Sequence, residues 1–504
     1  MKKLIYLIII IGTITSCVKM DFSPSDSLTT DILEQNPDGM KLITDGNYSL
    51  FKDGIEFNGI VDDNNNYLRQ YFQMSDFAAD DIVCGQVTED PLYYSFTYTH
   101  SPSQSNSRYF WYVSYKIISG ANTVIKSLEE KNNLSDMDKQ LLGENYFLRA
   151  FVTFNLVKFY SYQYNVGDPN TNLGVVLRLS TTEPANKARS TVEETYNQII
   201  SDLQNAAQNM NMDRGREYAS KEAAWALLSR VYLYKDDYAN TILYANKVIN
   251  SGKYSLETSA NFPTYYTHTL DSDETIWAIA FTTADNRGKF GSIASMIYSD
   301  GNSGWGEEFA SPPYLDLLSP NDVRKSLIEP KLDGNGDVDL KNGIEVYYIK
   351  KFSYQDGDPN LSSPVMLRLA EVYLNRAEAY AKQGGHDSEA LADVNMIRSN
   401  RGLSNDLITS VPPGQTLLDV VLTERRMELA FEGHRLFDLI RNHKNIERKY
   451  WGYHIPGLSV SDIDLDNPPT SGYDNLVIDY NSPKILYYIP IDEILTNNLC
   501  VQNQ

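Results

Sequence analysis

Apolar residues recur at intervals of three, four and seven through much of the chain, a rhythm that predicts helices. Between Ser114 and Ile249 it is carried by Leu141, Leu148, Phe151, Val152, Leu156 and Phe159, and a second helical block runs from about Val365 to Arg441. Between the blocks, roughly residues 255 to 362, the rhythm breaks. Clusters of Gly, Asn, Ser, Asp and Pro there separate short β-like runs such as Thr275 to Phe281 and Glu345 to Phe352, so hairpins and long loops are expected. The segment from Tyr453 is again rich in Pro, Gly and Asp and ends in the apolar run from Ile485 to Pro490. Long loops on a rigid helical scaffold are where ligand contacts usually lie.

Within the helical blocks, Trp225-x2-Leu228-Ser229-x2-Tyr232 follows the first-helix pattern of a tetratricopeptide unit, and Tyr238 to Ile249 supplies a second helix. A small residue at Ser229 lets two helices approach closely while the aromatic and leucine positions fill the groove between them. Tyr146-x2-Arg149-Ala150 and Tyr373-x2-Arg376-Ala377 share a variant of the pattern. The latter is followed by Tyr380, a Gly384-Gly385 turn and a helix around Leu391, Val394 and Ile397. Divergent repeats are expected; amphipathic helices sharing short strings by chance are the alternative.

The N-terminus changes the picture of where the chain works. Lys2 and Lys3 precede an apolar run from Leu4 to Ile11, too short to span a bilayer, and Ile14-Thr15-Ser16-Cys17 resembles the cleavage junction of a bacterial lipoprotein. A signal peptide over 1–16 and acyl chains on Cys17 are therefore expected, with residues 17–30 as a polar tether. Losing Lys2 and Lys3 takes the formal charge from −22 to −24, and such a surface repels phosphate backbones, which argues against a nucleic-acid partner. Beyond Cys17 only Cys84 and Cys500 remain, which excludes a disulfide-stapled scaffold or thiolate metal cluster. Two buried thiols are expected, a single bridge being the alternative. The 36 tyrosines suit amphipathic ligands and helix interfaces equally.

Four segments carry a family resemblance: Glu144 to Phe151, Arg368 to Ala379, Glu424 to Leu439 and Tyr488 to Asn498. In them the chain resembles the SusD/RagB family of outer-membrane nutrient-binding lipoproteins over nearly its whole mature length. The resemblance implies a mainly α fold in which about four tetratricopeptide-like helix pairs support an irregular, loop and short-hairpin ligand-binding region. It also implies a partner, a TonB-dependent SusC-like barrel over which the protein closes as a lid, and a glycan as the nutrient. One departure is that Tyr160-Ser161-Tyr162-Gln163-Tyr164 leads only to Gly174-Val175-Val176-Leu177, where family members often carry a Tyr-Gly and Val-Pro-Leu run. The expected organisation places an N-terminal region with helical repeats over 31–260. A C-terminal region over 261–504, with the loop-rich insertion and further repeats, packs with it as one globule.

Catalytic chemistry is not evident. The six histidines are scattered without zinc-ligand spacing, and neither a nucleophile elbow nor a phosphate-cradling glycine motif is found. Asp80-Asp81 and Glu307-Glu308 are adjacent acids of a kind common on acidic surfaces; as a glycosidase pair they would need a separation that sequence does not give. In the Glu424 to Arg441 motif, Arg425 with Glu428 and Glu432 with Arg435 stand three apart and can pair on helices, a structural use. Asp333-x-Asn335-x-Asp337-x-Asp339 alternates oxygen donors as a calcium loop does. With Val338 and Ile344 at the positions where an EF-hand needs Gly and Glu, a plain hairpin is expected and a weak calcium site is the alternative, so no cofactor is assigned. The chain therefore reads as a non-enzymatic binder of glycan, with peptide or other nutrient capture and a surface glycosidase as the competing readings. Its ligand platform is assigned to Trp111, Tyr298 and Trp305, with Arg69 and Asn66 as polar neighbours, because sugar rings stack C–H patches on aromatic faces. For Trp111 and Trp305 core packing is the alternative.

Overall fold

The computed structural model describes residues 36–503 except 58, 61, 63–65, 86–91, 342, 453, 455–471 and 473–475. The signal peptide, Cys17 and the tether expected from the sequence lie outside the described residues. Among those described, no helix is long and apolar enough to cross a membrane.

The architecture is mainly helical, as the apolar rhythm predicts. Two helices, α1 (Gly39–Ser49) and α2 (Tyr67–Asp76), and the short α3 (Leu92–Thr97) lead into α4 (Ser105–Glu129) and α5 (Asp136–Tyr160). Next come α6 (Val192–Asn209), α7 (Lys221–Tyr234) and α8 (Tyr238–Ile249). After the irregular middle follow α9 (Leu369–Gln383), α10 (Asp387–Asn400), α11 (Leu417–Leu429), α12 (Arg435–Arg441) and α13 (Ile491–Thr496). Consecutive helices from α4 to α10 pack on one another, with α8 continuing onto α9 across the sequence gap. Side-chain oxygens of Ser135, Thr191, Ser220 and Thr416 cap the starts of α5, α6, α7 and α11, satisfying amides that have no partner within the helix.

Helix α5 lies at the centre: every residue from Gln140 to Tyr160 is buried. A helix buried all round must pair its charged side chains, and Arg149 and Glu144 do so. Arg149 makes a bidentate bond to Asp202 of α6, at 2.7 Å for both nitrogens, and Glu144 accepts from Arg214 at 2.7 Å. Ser229, the small residue of the repeat pattern on α7, is buried and accepts from Asn375 Nδ2 of α9 at 3.1 Å, so the close approach that the pattern predicts is realised.

Among the described residues, ten short strands form five two-stranded antiparallel sheets. Leu340–Lys341 (β5) and Ile344–Glu345 (β6) make a local hairpin, enclosed by the ladder of Ile328–Pro330 (β4) with Tyr347–Ile349 (β7). The run at Thr275 forms β2 (Thr275–Ala278), whose partner is not a neighbouring strand but β8 (Val365–Arg368), beside α9. Likewise β1 (Ile82–Cys84) pairs with β3 (Glu308–Ala310), and β9 (Ile446–Arg448) with β10 (Leu476–Ile478). These long-range ladders lash the loop-rich region to the helices. Trp277 on β2 is fully buried, edge-on to Phe51, Phe147 and Phe151 with centroids 4.9–6.1 Å away. Cys84 and Cys500 are both buried.

The charged motif after Glu424 is structural: Asp438 and Arg441 pair one turn apart at 2.6 Å, but Glu428, Glu432, Arg425 and Arg435 take partners other than those that the spacing suggests. Glu428 reaches across to Arg368 (2.6 Å), Arg401 (2.8 Å) and Arg324 (3.2 Å), all buried. Glu432 pairs with Lys351 (2.6 Å) and Arg368 (2.8 Å), Arg425 with Asp438 (2.8 Å), and Arg435 with Asp80 (2.7 Å). Residues on one face of α11 are turned inward, where partners from other elements are closer than those on their own helix. Burial alone would raise the Glu428 carboxyl, yet Arg401, Arg368 and Arg324 hold it well below the usual carboxylate range.

Candidate functional site

An exposed aromatic pair on two tethered loops is the feature best suited to a ligand. The first loop centres on a single helical turn, Gly288–Gly291, which carries Lys289 and Phe290. Asn286 fixes its start: the side-chain oxygen accepts from Gly288 N at 2.6 Å, and the amide donates to Asp358. Ser292 closes its end on Asn360 at 3.1 Å. The second loop turns at Asp300, whose carboxylate accepts from Asn302 N (2.9 Å), Ser303 N (2.7 Å) and Ser303 Oγ (2.8 Å). It then returns through Trp305, whose amide donates to Ser295 O at 2.6 Å. Glycine is required at Gly304, where a Cβ would stand 2.1 Å from the Tyr298 carbonyl oxygen. It is required again at Gly306, where φ is +56° and a Cβ would stand 2.6 Å from the Tyr348 ring.

These loops bring Phe290 and Trp305 together with ring centroids 5.6 Å apart, 57% and 43% exposed respectively. Large aromatics are usually buried, so two in contact on a polar surface are informative. The Lys289 ammonium lies 4.1 Å from the Trp305 ring centroid. Beneath them, Tyr298 is buried against Tyr348 and Tyr354 and shares a 2.6 Å hydroxyl bond with Tyr354. Burial and that bond push the Tyr298 phenol well above its usual range, so it is a neutral hydrogen-bonding group.

The five residues assigned from sequence do not converge on one surface. Trp305 is displayed on its loop, and Tyr298, 3% exposed, supports that loop from below. Trp111 is 4% exposed on α4, packed between Tyr115 and Tyr160 at 4.8–4.9 Å, with its indole N–H 3.4 Å from Glu493, which is the core alternative. Asn66 is the N-cap of α2: its oxygen accepts from Leu68 N and Arg69 N, and its amide donates to Lys52 O. Arg69 is buried in the first turn of the same helix, lining a small internal cavity with Phe72, Asp76 and Phe352. Lys289 and Phe290 were not singled out by the sequence reasoning. The available signal was Gly288-Lys289-Phe290-Gly291, an aromatic between glycines like Gly304-Trp305-Gly306.

The other candidate chemistry resolves into structural contacts. Asp80 binds Arg435 and Asp81 binds Arg426 at 2.6–2.7 Å. Burial pushes both carboxyls up; Arg435 and Arg426 pull Asp80 below its usual value, while Asp81, beside Asp80, stays above. Glu307 and Glu308 are buried next to and within β3. At the calcium-like loop, Asp333 accepts from Asn335 N (2.7 Å) and Asp337 N (3.0 Å), Leu332 bridges to Val338, and Asp339 pairs with Lys331. The Asp333 carboxylate thus serves a hairpin tip, and among the described residues no group of three or more His, Cys, Asp or Glu is placed to hold a metal ion. The Gly174 to Leu177 loop packs inward, Val176 O accepting from the Tyr115 hydroxyl at 2.8 Å. A separate cleft of about 460 Å³ lies among Pro312, Leu315, Ile328, Ile344 and Tyr347, and no sequence-assigned candidate lines it.

A helical-repeat frame bearing an exposed aromatic pair on anchored loops is the build of a binding protein. A model described as the SusD family matches residues 333–504, and one described as starch-binding associating with outer membrane matches residues 32–233. The chain belongs to the SusD family. A SusD-like protein of Formosa agariphila is 25% identical over 492 residues, covering 88% of this chain and 91% of its own. A SusD superfamily protein from Bacteroides thetaiotaomicron has a TM-score of 0.78 at 28% identity, covering 93% of this chain and 99% of its own. A putative sugar binding protein from Bacteroides vulgatus has a TM-score of 0.75 at 25% identity, covering 92% and 98%.

Proposed function

We propose that this protein captures a glycan at the outer membrane and delivers it to a SusC-like, TonB-dependent barrel, held there by acyl chains on Cys17. The observation that carries the capture step is the exposed Phe290–Trp305 pair, on loops pinned to a rigid frame. Flat apolar faces take the C–H side of a sugar ring, while the surrounding amides and hydroxyls serve its hydroxyls. The starch-binding description of the family model and the sugar-binding name of the Bacteroides vulgatus structure support the same reading. No catalytic role is assigned: of the adjacent acids that a glycosidase could use, Asp80 and Asp81 are engaged with Arg435 and Arg426, and Glu307 and Glu308 are buried at β3.

A binding screen of the purified protein against glycans and peptides tests capture, with glycan binding and no cleavage products expected. Peptide binding alone, or glycan hydrolysis, would overturn it. Delivery requires a transporter, since a tethered binder does not itself move a nutrient inward, so mild-detergent extraction should recover a barrel with the protein. Cys17→Ala should release the protein from membranes once the barrel is absent; continued membrane association would remove the lipid tether.

A further inference from the structure

Resting on the glycan reading, we infer that the Phe290–Trp305 platform is built for an anionic sugar, one bearing a carboxylate or sulfate, with Lys289 as its charge-recognising residue. The chain as a whole carries a formal charge of −22, so its surface field opposes an anionic ligand, and any site for one must supply local cations. The platform does. Lys289 lies over Trp305 at 4.1 Å, and among the described residues no carboxylate stands within ion-pairing distance of its ammonium.

Three acids of the flanking loops are occupied by their own donors. Asp300 is wrapped by the amides of Asn302 and Ser303 and the Ser303 hydroxyl, Asp285 by Lys52 and Thr282, and Asp358 by Asn286. Two residues before Lys289, Arg287 adds a second cation. It donates to Lys52 O at 3.1 Å and stands 3.9 Å from Asp53, while its buried Nε has no acceptor among the described residues.

A uronate or sulfated sugar satisfies both halves of this arrangement. Its C–H face covers an indole or phenyl ring, and its anion takes the ammonium, which moves only a short distance from the ring. A neutral sugar of the same shape leaves that cation without a counter-charge.

The test is an array of neutral, uronate-containing and sulfated oligosaccharides probed with the purified full-length protein. The best acidic binder is then titrated beside its methyl-esterified or desulfated form. The account predicts at least a tenfold preference for the anionic form that weakens with salt, falls to near unity in Lys289→Gln and is kept in Lys289→Arg. A neutral glycan as best binder, equal affinity for the charged and neutralised forms, or a preference that survives Lys289→Gln would overturn the inference while leaving glycan capture standing. An array without any binder would overturn glycan capture itself, and this inference with it.

Discussion

Arg401 and Lys289 are both cations seated on aromatic rings, and the contrast between them divides the molecule. Arg401 lies 3.8 Å over Phe262, fully buried, with Glu274 and Glu428 each at 2.8–2.9 Å. Lys289 lies 4.1 Å over Trp305 at the surface, with no carboxylate in reach among the described residues. Around Arg401 the charges of the frame have fixed partners drawn from distant elements. On the platform a charge and two rings are left to be satisfied from outside. The frame's interactions are costly to break and do nothing visible to a ligand, whereas those of the platform contribute little to folding and present chemistry to solvent.

The contrast is broken most severely at Glu428. Removing it in Glu428→Ala leaves Arg324, Arg368 and Arg401 facing one another in the interior, and a broken buried network costs about 3–5 kcal/mol. That is a large part of the total stability of a folded domain, so the variant should melt far below the wild type or fail to accumulate. A near-wild-type melting temperature would show that the network is not what fastens the strands to α11.

The same network contributes to stability in acid. Burial would raise both carboxyls, but facing cations hold Glu428 well below, and Glu432 below, their ordinary values. A folded-state pKa below the unfolded one means that the ionised form stabilises. This contribution is complete above the unfolded carboxylate range, about pH 4–5, and is lost as pH falls through the folded value. Denaturation measured from pH 7 downward should therefore show a stability difference between wild type and Glu432→Gln that is constant until about pH 5 and shrinks below it. A difference that does not shrink in acid would remove Glu432 from the account.

The frame was readable from sequence because its signals are local and repeated. The second repeat helix runs from Tyr238 to Ile249 as its apolar rhythm predicts, and Ser229 meets Asn375 at the close approach that its size suggests. Pairing was not readable. Glu428 has Arg425 one turn away on its own helix, yet it bonds to residues 27 to 104 positions distant, because the fold rather than the spacing decides which cation is nearest. The same holds for β2, whose local run suggests a hairpin but whose partner is β8. The platform was half legible. Trp305 between glycines announced a displayed ring, whereas Trp111, an aromatic in an amphipathic helix, carries a pattern shared by core and surface alike. Asn66, directly before an apolar helical run, has the signature of an N-cap as much as that of a ligand contact.

A smaller effect probes how the platform is held. Gly304→Ala would place a Cβ 2.1 Å from the Tyr298 carbonyl oxygen, backbone against backbone, so the loop must shift. A stability loss of about 1–3 kcal/mol is expected from this overpacking, together with weaker glycan binding. Full retention of affinity would mean that the position of Trp305 is not set by this turn.

The smallest effect on folding is the most direct test of capture. Trp305→Ala removes a ring that is 43% exposed and touches Phe290 and Lys289, so the melting temperature should stay within the change expected of a surface substitution, about 0.5 kcal/mol or less in stability. Glycan affinity, measured by calorimetric titration of the same preparation, should fall by about 1–3 kcal/mol, the scale of an aromatic hot spot. Unaltered affinity, or loss of binding together with a large drop in melting temperature, would contradict the assignment of this surface as the site of capture.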